Sequence, residues 1–330
     1  MNTWLVTGGA GFIGSHLVDA LLARGDRVRV LDDLSSGRQR NIPQGCEFLR
    51  GSVIDPSLVL RALRGVDGVF HLAAIASVAR CTEDWVGTHG VNQTGTVTVL
   101  EAARRVGALP VVYASSAAVY GDAARDGVAE HDVTDPRSAY GCDKLGSELH
   151  ARIARRSFAT PTLGLRFFNV YGPRQDGASP YSGVISVFRR RLQSGETLVL
   201  NGDGRQTRDF VYVADVVAAM IAGMARLPEL PPALPGLPPA LNVCTGRSIS
   251  VRDLATMLCE VAGVPAMLRH APAKIGDITH SRGDPALMTE SLGLRCDISI
   301  RDGLERMALA ERAAWDYGAY DNAKTGSLGA

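Results

Sequence analysis

Lysine is scarce in this sequence. Only three of its 35 basic residues are lysines, namely Lys144, Lys274 and Lys324, and the others are arginines. The basic residues are balanced by 34 acidic ones, and no basic stripe with interleaved aromatic side chains is found. Because a phosphate polymer is held by clustered positive charge, we do not expect a nucleic-acid partner. Each of the few lysines needs a reason why its position is not an arginine.

The sequence also lacks the signals of metal binding, secretion and membrane insertion. Its six cysteines are scattered without a C-x-x-C pair, which fits neither a zinc site nor a disulfide framework. The chain runs from Met1 directly into a strand pattern at Leu5, which is not typical of a signal peptide. No apolar run reaches the roughly 18 residues of a membrane helix. We therefore expect a cytoplasmic protein without a metal and without a membrane partner.

Short β-branched runs alternate with helical periodicity in the first half of the chain, the pattern of βαβ units on a parallel sheet. We predict an α/β fold with a Rossmann-type, doubly wound parallel sheet in residues 1–175, whose ligand lies at the carboxyl edge of the strands. Residues 176–330 are predicted to form a second, smaller α/β lobe, with a segment near 209–226 that returns to the first domain. Within that lobe, residues 227–240 are rich in proline and are predicted to form a loop.

The same periodicity assigns individual elements. Strands are predicted at residues 4–7, 27–31, 46–50, 68–71, 110–114, 161–166, 197–201 and 209–211. Helices are predicted at residues 13–24, 57–63, 90–105, 140–156, 214–226, 251–261 and 300–315.

A glycine-rich turn follows the first predicted strand and opens the first predicted helix. Residues 8–14 read GGAGFIG, which fits both G-x-G-x-x-G and G-x-x-G-x-x-G. Glycines here let the backbone approach a pyrophosphate at a helix N-terminus, where free N–H groups favour an anion. Asp32 ends the second strand, where a carboxylate bonds the adenosine ribose and repels a 2′-phosphate. We therefore expect NAD as the cofactor, although Arg38 and Arg40 nearby are residues that can host the extra phosphate of NADP.

A second pattern joins a tyrosine, a lysine and two serines. Tyr140 and Lys144 form a Y-x-x-x-K pair, so their side chains lie one helical turn apart on the same face. Ser115 and Ser116 follow a predicted strand upstream of that helix. A tyrosine and a lysine at this spacing are common on helix surfaces. Only the combination with the serines and the glycine turn makes the pattern specific.

Together these motifs resemble the extended short-chain dehydrogenase/reductase family, and within it the NAD-dependent nucleotide-sugar epimerases and dehydratases. The resemblance extends over nearly the whole chain. Residues 71–74 and 91–96 are similar to family segments beside the cofactor. Residues 166–173, 207–213 and 276–277 resemble segments that bind the substrate, the last of them with Lys274 where the family has an arginine.

The motifs and the resemblance together predict the residues of the site. Catalytic roles are expected for Ser116, Tyr140 and Lys144. Cofactor contacts are expected from Gly8, Gly11, Phe12, Ile13, Gly14, Asp32, Ser52, Val53, Leu72, Ala73, Ala74, Asn92, Ser115, Tyr140 and Lys144. Substrate contacts are expected from Ser116, Asn169, Val184, Arg208, Lys274, Asp277 and Ser281. No metal ligand is predicted.

The residue types suit the oxidation of a sugar alcohol, which needs a base for the hydroxyl proton while hydride leaves for the nicotinamide. A tyrosine pKa of about 10 is too high for this work, because the phenol stays protonated at neutral pH. We expect a neighbouring ammonium and the positive nicotinamide ring to lower the pKa of Tyr140. Ser116 can bond the same sugar oxygen. An arginine in place of Lys144 would not present the compact ammonium that can also reach the cofactor ribose.

The residues after Ser116 separate the reactions of the family, which all begin with loss of hydride from C4. Family dehydratases have an acidic pair before the Val-Tyr-Gly sequence, and the decarboxylases place a glutamate nearby. Here the corresponding residues are Ala117 and Ala118. Without a side chain to carry those protons, 4-epimerisation is favoured, with NAD as a retained catalyst.

A small residue in the substrate lobe bears on the choice of sugar. The resemblance implies that the position four after Asp277 is bulky in epimerases confined to UDP-glucose and UDP-galactose and small in those that accept N-acetylated sugars. It is Ser281 here. This predicts interconversion of UDP-GlcNAc and UDP-GalNAc, with activity on the plain hexoses as a further option and polysaccharide biosynthesis as the setting.

Three alternatives stay open at the level of the sequence. Two are 4-epimerases for UDP-glucose or for UDP-glucuronate, and the latter needs a cation near C6 that the sequence does not locate. The third is a non-catalytic NAD-binding regulator, which would have no need of Ser116, Tyr140 and Lys144 together. The resemblance also implies a homodimer that forms through the helices at residues 90–105 and 140–156.

Overall fold

The computed structural model describes residues 1–122, 127–176, 183–227, 240–273 and 278–310. Lys274, Asp277, Lys324 and most of the proline-rich loop lie outside these residues.

Strands and helices alternate through the first half of the chain. Three short turns accompany them, two 3₁₀ turns at Gln39–Asn41 and Ala117–Tyr120 and one π turn at Gly90–Thr94. The strands and helices are β1 (Thr3–Thr7), α1 (Phe12–Ala23), β2 (Arg27–Asp32), β3 (Glu47–Arg50), α2 (Pro56–Ala62), β4 (Gly68–His71), α3 (Val78–Glu83), α4 (Trp85–His89), α5 (Gly95–Arg105), β5 (Val111–Ser116), α6 (Ala139–Phe158) and β6 (Thr162–Phe167).

The second half has shorter strands and a less regular alternation. Its elements are β7 (Asn169–Tyr171), α7 (Val184–Gln193), β8 (Leu198–Asn201), β9 (Thr207–Arg208), β10 (Phe210–Tyr212), α8 (Val213–Arg226), β11 (Ala240–Val243), β12 (Ile249–Ser250), α9 (Val251–Ala262), β13 (Leu268–Ala271) and α10 (Ala286–Leu292). Residues 300–310 are also helical.

A seven-stranded parallel sheet in the order β11-β6-β5-β4-β1-β2-β3 forms the centre of the molecule. The chain builds from β1 outward to β3, returns to the middle, and then builds in the other direction from β4. The strand order therefore reverses between β1 and β4, which is where an open α/β sheet binds its ligand. The predicted doubly wound parallel sheet is confirmed.

Apolar side chains cover both faces of this sheet. Leu5 and Val6 are neighbours on β1 and point to opposite faces, as the period of a strand requires. Leu5 belongs to a buried cluster with Val99 of α5, and Val6 belongs to another with Leu17 of α1 and Met220 of α8. Helices on both faces thus bury the sheet, which is typical of parallel strands.

The remaining strands form three two-stranded sheets, in which β7 pairs with β10, β8 with β13 and β9 with β12. A third buried cluster includes Phe188 of α7, Leu198 of β8 and Leu254 of α9. This cluster joins the second-half helices to the short sheets.

Several elements differ from the sequence prediction, which does not include α3, α7 or α10. The sequence does not predict β11, which adds to the sheet beside β6 from a part of the chain assigned to the second lobe. A strand of four residues beside a proline-rich stretch has too little pattern to be recognised. The helix predicted to begin at residue 90 is preceded by α4, whose first turn Asp84 caps by accepting from the Gly87 amide at 3.0 Å. The π turn at Gly90–Thr94 joins α4 to α5.

Candidate active site

A cavity of about 550 Å³ opens at the carboxyl edge of the sheet, where the strand order reverses. Most of the residues that the sequence assigns to the cofactor and to catalysis line it. They are Gly8, Gly11, Phe12, Ile13, Gly14, Asp32, Ser52, Val53, Leu72, Ala73, Ala74, Ser115, Ser116, Tyr140 and Lys144, together with Asn169 from the substrate set.

The glycine turn brings the start of α1 to the cavity. Gly8 has a positive φ of +70°, and a Cβ on it would lie 2.7 Å from the backbone nitrogen of Ala73. Only glycine therefore lets this turn approach the segment after β4. No side chain among the described residues caps α1 at Gly11. The first amides of α1 thus form an anion site that suits a pyrophosphate.

Asp32 lies in the cavity wall at the end of β2. Its two carboxylate oxygens accept hydrogen bonds from the amides of Ala10 (3.0 Å) and Leu34 (2.8 Å), which fix its orientation. Burial raises the pKa of Asp32. Arg38, which the sequence marks as a residue able to host a 2′-phosphate, is paired with Asp176 at 3.0 Å. The position of the Asp32 carboxylate and the pairing of Arg38 with Asp176 both favour NAD over NADP.

Buried polar bonds hold the segment after β4 in place. The hydroxyl of Thr96 donates to the carbonyl of Asn92 (2.6 Å), so His71 must donate from Nε2 to Thr96 (3.0 Å). Nδ1 of His71 then accepts from the Thr7 hydroxyl at 2.8 Å. Burial lowers the pKa of His71 to about 3, so the ring is neutral.

Thr7 and Asn92 complete this support. The Thr7 oxygen accepts from the amides of Leu72 and Ala73, both at 3.2 Å. Asn92 accepts from the Ile75 amide (2.7 Å) and donates to the Ile75 carbonyl (3.2 Å). Asn92 does not line the cavity, in contrast to the other predicted cofactor residues. It holds the lining segment from behind.

The three predicted catalytic residues meet in the cavity. Ser138 caps α6 by accepting from the amide of Gly141 (3.1 Å), which sets the start of the helix that carries Tyr140 and Lys144. Nζ of Lys144 donates to the carbonyl of Ala114 (2.9 Å) and lies 5.7 Å from the centre of the Tyr140 ring. The side chains of Ser116 and Tyr140 are hydrogen-bonded to each other.

Burial shifts both titratable groups toward their neutral forms. It raises the pKa of Tyr140 to about 12, against the opposing effect of the bond with Ser116. It lowers the pKa of Lys144 to about 8. The expectation that the neighbouring ammonium lowers the pKa of Tyr140 is therefore wrong for the protein by itself, because burial has the larger effect.

A buried ion pair lies directly behind the catalytic residues. Glu148 follows Lys144 by one turn of α6 and accepts two bonds from the Arg166 guanidinium, at 2.9 and 2.7 Å. Oε1 of Glu148 also accepts from the hydroxyl of Ser115 at 2.5 Å. Ser115 therefore lines the cavity, but its hydroxyl is hydrogen-bonded to Glu148, which does not line it. The spacing of Glu148 from Lys144 is a signal that sequence reasoning could have used but missed.

The substrate residues are less closely grouped. Asn169 is exposed and lines the cavity, whereas Val184, at the start of α7, does not. Arg208 and Ser281 lie on either side of Thr207, whose carbonyl accepts from the Arg208 guanidinium (2.8 Å) and from the Ser281 amide (3.2 Å). Neither lines the cavity.

Across the described ranges, no group of three histidine, cysteine or acidic side chains is arranged to hold a metal. No helix in this part of the chain has both the length and the apolar composition to cross a membrane.

A family model described as the NAD dependent epimerase/dehydratase family matches residues 4–233. The chain belongs to this family. It is therefore an enzyme, and NAD is its cofactor. The site fits that cofactor: Asp32 would hold the adenosine ribose, the amides that begin α1 would hold the pyrophosphate, and Tyr140 and Lys144 would lie at the nicotinamide end.

Several members of the family are similar over their full length. The UDP-glucose 4-epimerase of Mycolicibacterium smegmatis is 37% identical over 309 residues, which cover 92% of this chain and 96% of that protein. The UDP-glucose 4-epimerase of Thermotoga maritima, solved with UDP-glucose, superposes with a TM-score of 0.88 at 33% identity, covering 95% of this chain and 99% of that chain. The UDP-N-acetylglucosamine 4-epimerase of Methanobrevibacter ruminantium M1 was solved with UDP-N-acetylmuramic acid. It superposes with a TM-score of 0.86 at 30% identity, covering 93% of this chain and 96% of that chain.

Replacing Glu148 with leucine would leave the guanidinium of Arg166 buried without its counter-charge. Removing one partner of a buried ion pair costs about 3–5 kcal/mol. We expect Glu148→Leu to lower the free energy of unfolding by that order in urea titrations. Glu101→Gln is a matched control, because Glu101 pairs with Arg104 and Arg105 at the surface, where water screens the charges. Equal losses in the two variants would contradict the role assigned to Glu148.

Proposed function

We propose that the protein is a UDP-sugar 4-epimerase whose NAD stays bound between turnovers. The observation that carries this proposal is the meeting of Ser116, Tyr140 and Lys144 in the cofactor cavity, beside two alanines. Binding of NAD alone would not require these three residues together. The similarity to 4-epimerases over nearly the whole chain supports the same activity.

Each catalytic side chain has a task at C4 of the sugar. Tyr140 in its ionised form accepts the proton of the C4 hydroxyl, and Ser116 hydrogen-bonds the same oxygen. Lys144 favours the phenolate through its charge. NAD, when bound, would supply the acceptor for the C4 hydride and the source from which the opposite face of the 4-keto sugar receives it back. Tyr140 then gives the proton back, so protons and electrons balance over the cycle.

The residues beside Ser116 argue against the other reactions of the family. Ala117 and Ala118 form a 3₁₀ turn in which the Ala118 amide donates to Oγ of Ser116 at 3.2 Å. Neither alanine has a group that can move protons at C5 and C6, as dehydration requires. Neither offers a carboxylate of the kind that the resemblance associates with decarboxylation.

For the sugar, we propose UDP-GlcNAc and UDP-GalNAc as substrates, with UDP-glucose and UDP-galactose as the second candidate pair. Ser281 supports the acetamido sugars, because a small side chain at that position leaves room beside C2. The similarity to UDP-glucose 4-epimerases supports the second pair equally.

The first test is turnover without added cofactor. We expect purified protein incubated with UDP-GlcNAc or UDP-glucose to form the C4 epimer, measured by NMR. Tyr140→Phe should reduce turnover by about a hundredfold or more, because it removes the general base, while the NAD content of the protein is unchanged. Cys142→Ser is the control, since Cys142 is exposed on the same helix. Bound NAD with no turnover of any UDP-sugar would favour the non-catalytic regulator.

The second test concerns the sugar. Ser281→Tyr should reduce kcat/KM for UDP-GlcNAc by roughly tenfold or more, through a clash with the acetamido group, and should leave UDP-glucose within about threefold of its original value. Ser248→Tyr, at an exposed position of the second half, is the matched control. An unchanged rate with UDP-GlcNAc in Ser281→Tyr would refute the pocket argument.

We also propose that the protein is a homodimer that forms through α6 and its neighbouring helices. Leu149 and Ile153 support this, because both are exposed and lie one turn apart on α6. Charges there should prevent association, so Leu149→Glu with Ile153→Glu should give a particle of 35.0 kDa by light scattering. Leu309→Glu, on the exposed face of residues 300–310, should leave the mass of the parent unchanged. A parent protein that already has the mass of one chain would disprove the dimer.

A further inference from the structure

We propose that Asp209 is a positioning residue for the nucleotide sugar: its carboxylate holds the segment that carries Ser281, its backbone carbonyl holds Asn169, and it follows Arg208 directly in the chain. The inference rests on the proposed function, which assigns those three residues to the substrate. Asp209 lies between β9 and β10, outside the cofactor cavity, and its side chain is not among the residues that the motifs assign to the site.

The carboxylate of Asp209 is completely buried and accepts four hydrogen bonds. Oδ1 accepts from the amide of Thr245 (2.9 Å) and from its hydroxyl (2.7 Å). Oδ2 accepts from the amides of Gly246 (3.0 Å) and Gly283 (3.3 Å). All four donors are uncharged, and both oxygens are needed as acceptors. A carboxylate can accept at both oxygens, whereas the amide of an asparagine accepts at one end and donates at the other.

Three of the proposed substrate segments meet at Asp209. The backbone carbonyl of Asp209 accepts from the amide of Asn169 (3.0 Å), at the start of β7. Arg208 precedes Asp209 in the chain. Gly283 follows Ser281 by two residues, so the bond to its amide holds the end of the segment that carries Ser281.

A second set of backbone bonds keeps that segment parallel to β9. The amide of Thr207 donates to the carbonyl of Thr279 (3.0 Å), and the carbonyl of Thr207 accepts from the amide of Ser281 (3.2 Å). On the other side of β9, Arg208 pairs with Ile249 of β12. Arg208 thus lies between two neighbouring segments. Asp209 bonds to both of them, to Thr245 before β12 and to Gly283 after Ser281.

The close approach of Gly283 shows how tightly this junction is built. A Cβ on Gly283 would lie 2.5 Å from Sγ of Cys244 and 2.7 Å from Cζ of Phe168. Both of those residues lie at the carboxyl edge of the central sheet, at the ends of β11 and β6. A side chain at position 283 would push its amide away from Asp209. The junction therefore fixes the substrate segments relative to the sheet that carries the catalytic residues.

The test compares substrate and cofactor binding in Asp209→Asn. This variant leaves donors at one end of the side chain without an acceptor, so the segment with Ser281 and the strand with Arg208 should relax. We expect the Kd for UDP, measured by calorimetry, and the KM for the UDP-sugar to rise by about tenfold or more. We expect kcat to fall by no more than about threefold and the NAD content to stay the same, since the cofactor residues belong to other strands.

Two further variants separate positioning from folding. Thr245→Val removes one hydroxyl donor and keeps the carboxylate. It should therefore also raise the Kd for UDP, by about threefold. Asp253→Asn is the matched control, because Asp253 is exposed on α9 and its amide replacement can still accept from Ser250. If Asp209→Asn does not fold, the Kd for UDP of the Thr245→Val variant tests the proposal instead. An unchanged Kd for UDP in a folded Asp209→Asn or in Thr245→Val would overturn the proposal.

Hydrogen exchange distinguishes this proposal from the proposed function. Asp209→Asn should speed exchange at the amides of Thr245, Gly246 and Gly283 and leave β1 and α1 unchanged. If the parent protein binds no UDP and turns over no UDP-sugar, the proposed function fails. Faster exchange at those three amides would then still support the junction, and unchanged exchange would overturn that as well.

Discussion

The buried pair of Glu148 and Arg166 is the interaction on which the geometry of the proposed catalytic residues depends. Glu148 lies one turn beyond Lys144, and it also accepts from Ser115, the neighbour of Ser116 on β5. A charge pair in the interior must keep its hydrogen bonds, because an unpaired buried charge is costly. α6 and β5 are therefore locked to each other and to β6. The relative positions of Lys144 and Ser116 thus follow from an ion pair whose two residues, Glu148 and Arg166, do not line the cavity.

Burial also determines how the base works. With a pKa of about 12 for Tyr140 and about 8 for Lys144, the phenol is protonated and the amine is largely charged at neutral pH. The protein alone therefore keeps Tyr140 protonated, so little phenolate is present to accept a proton. A positive charge on the nicotinamide side of the cavity would oppose the effect of burial. In the proposed reaction, oxidised NAD would therefore favour the phenolate form of Tyr140 at the stage when the C4 hydroxyl has to lose its proton.

Much of the fold and the cofactor side of the site follow from the sequence, because both depend on local patterns. The alternation of strands and helices predicts the sheet, and the glycine turn and Asp32 line the cavity as expected. What the sequence does not reveal depends on pairs that are distant in the chain. Glu148 meets Arg166 from another element, and Asp209 meets Gly283 across many residues. Asn92 has the residue type of a ligand contact, but the fold uses its amide to hold a neighbouring loop.

Lys144 shows why one position in this arginine-rich chain is a lysine. Its Nζ donates to the carbonyl of Ala114, deep in the site, and burial lowers its pKa from 10.5 to about 8. The folded state therefore binds this proton less tightly than the unfolded chain, so stability increases as the pH rises from about 8 toward 10.5. At neutral pH the charge of Lys144 is kept against the cost of burial, and in the proposed reaction that charge favours the phenolate of Tyr140. An arginine would bring a bulkier cation of the same charge, and its guanidinium could not relieve the cost of burial by deprotonation.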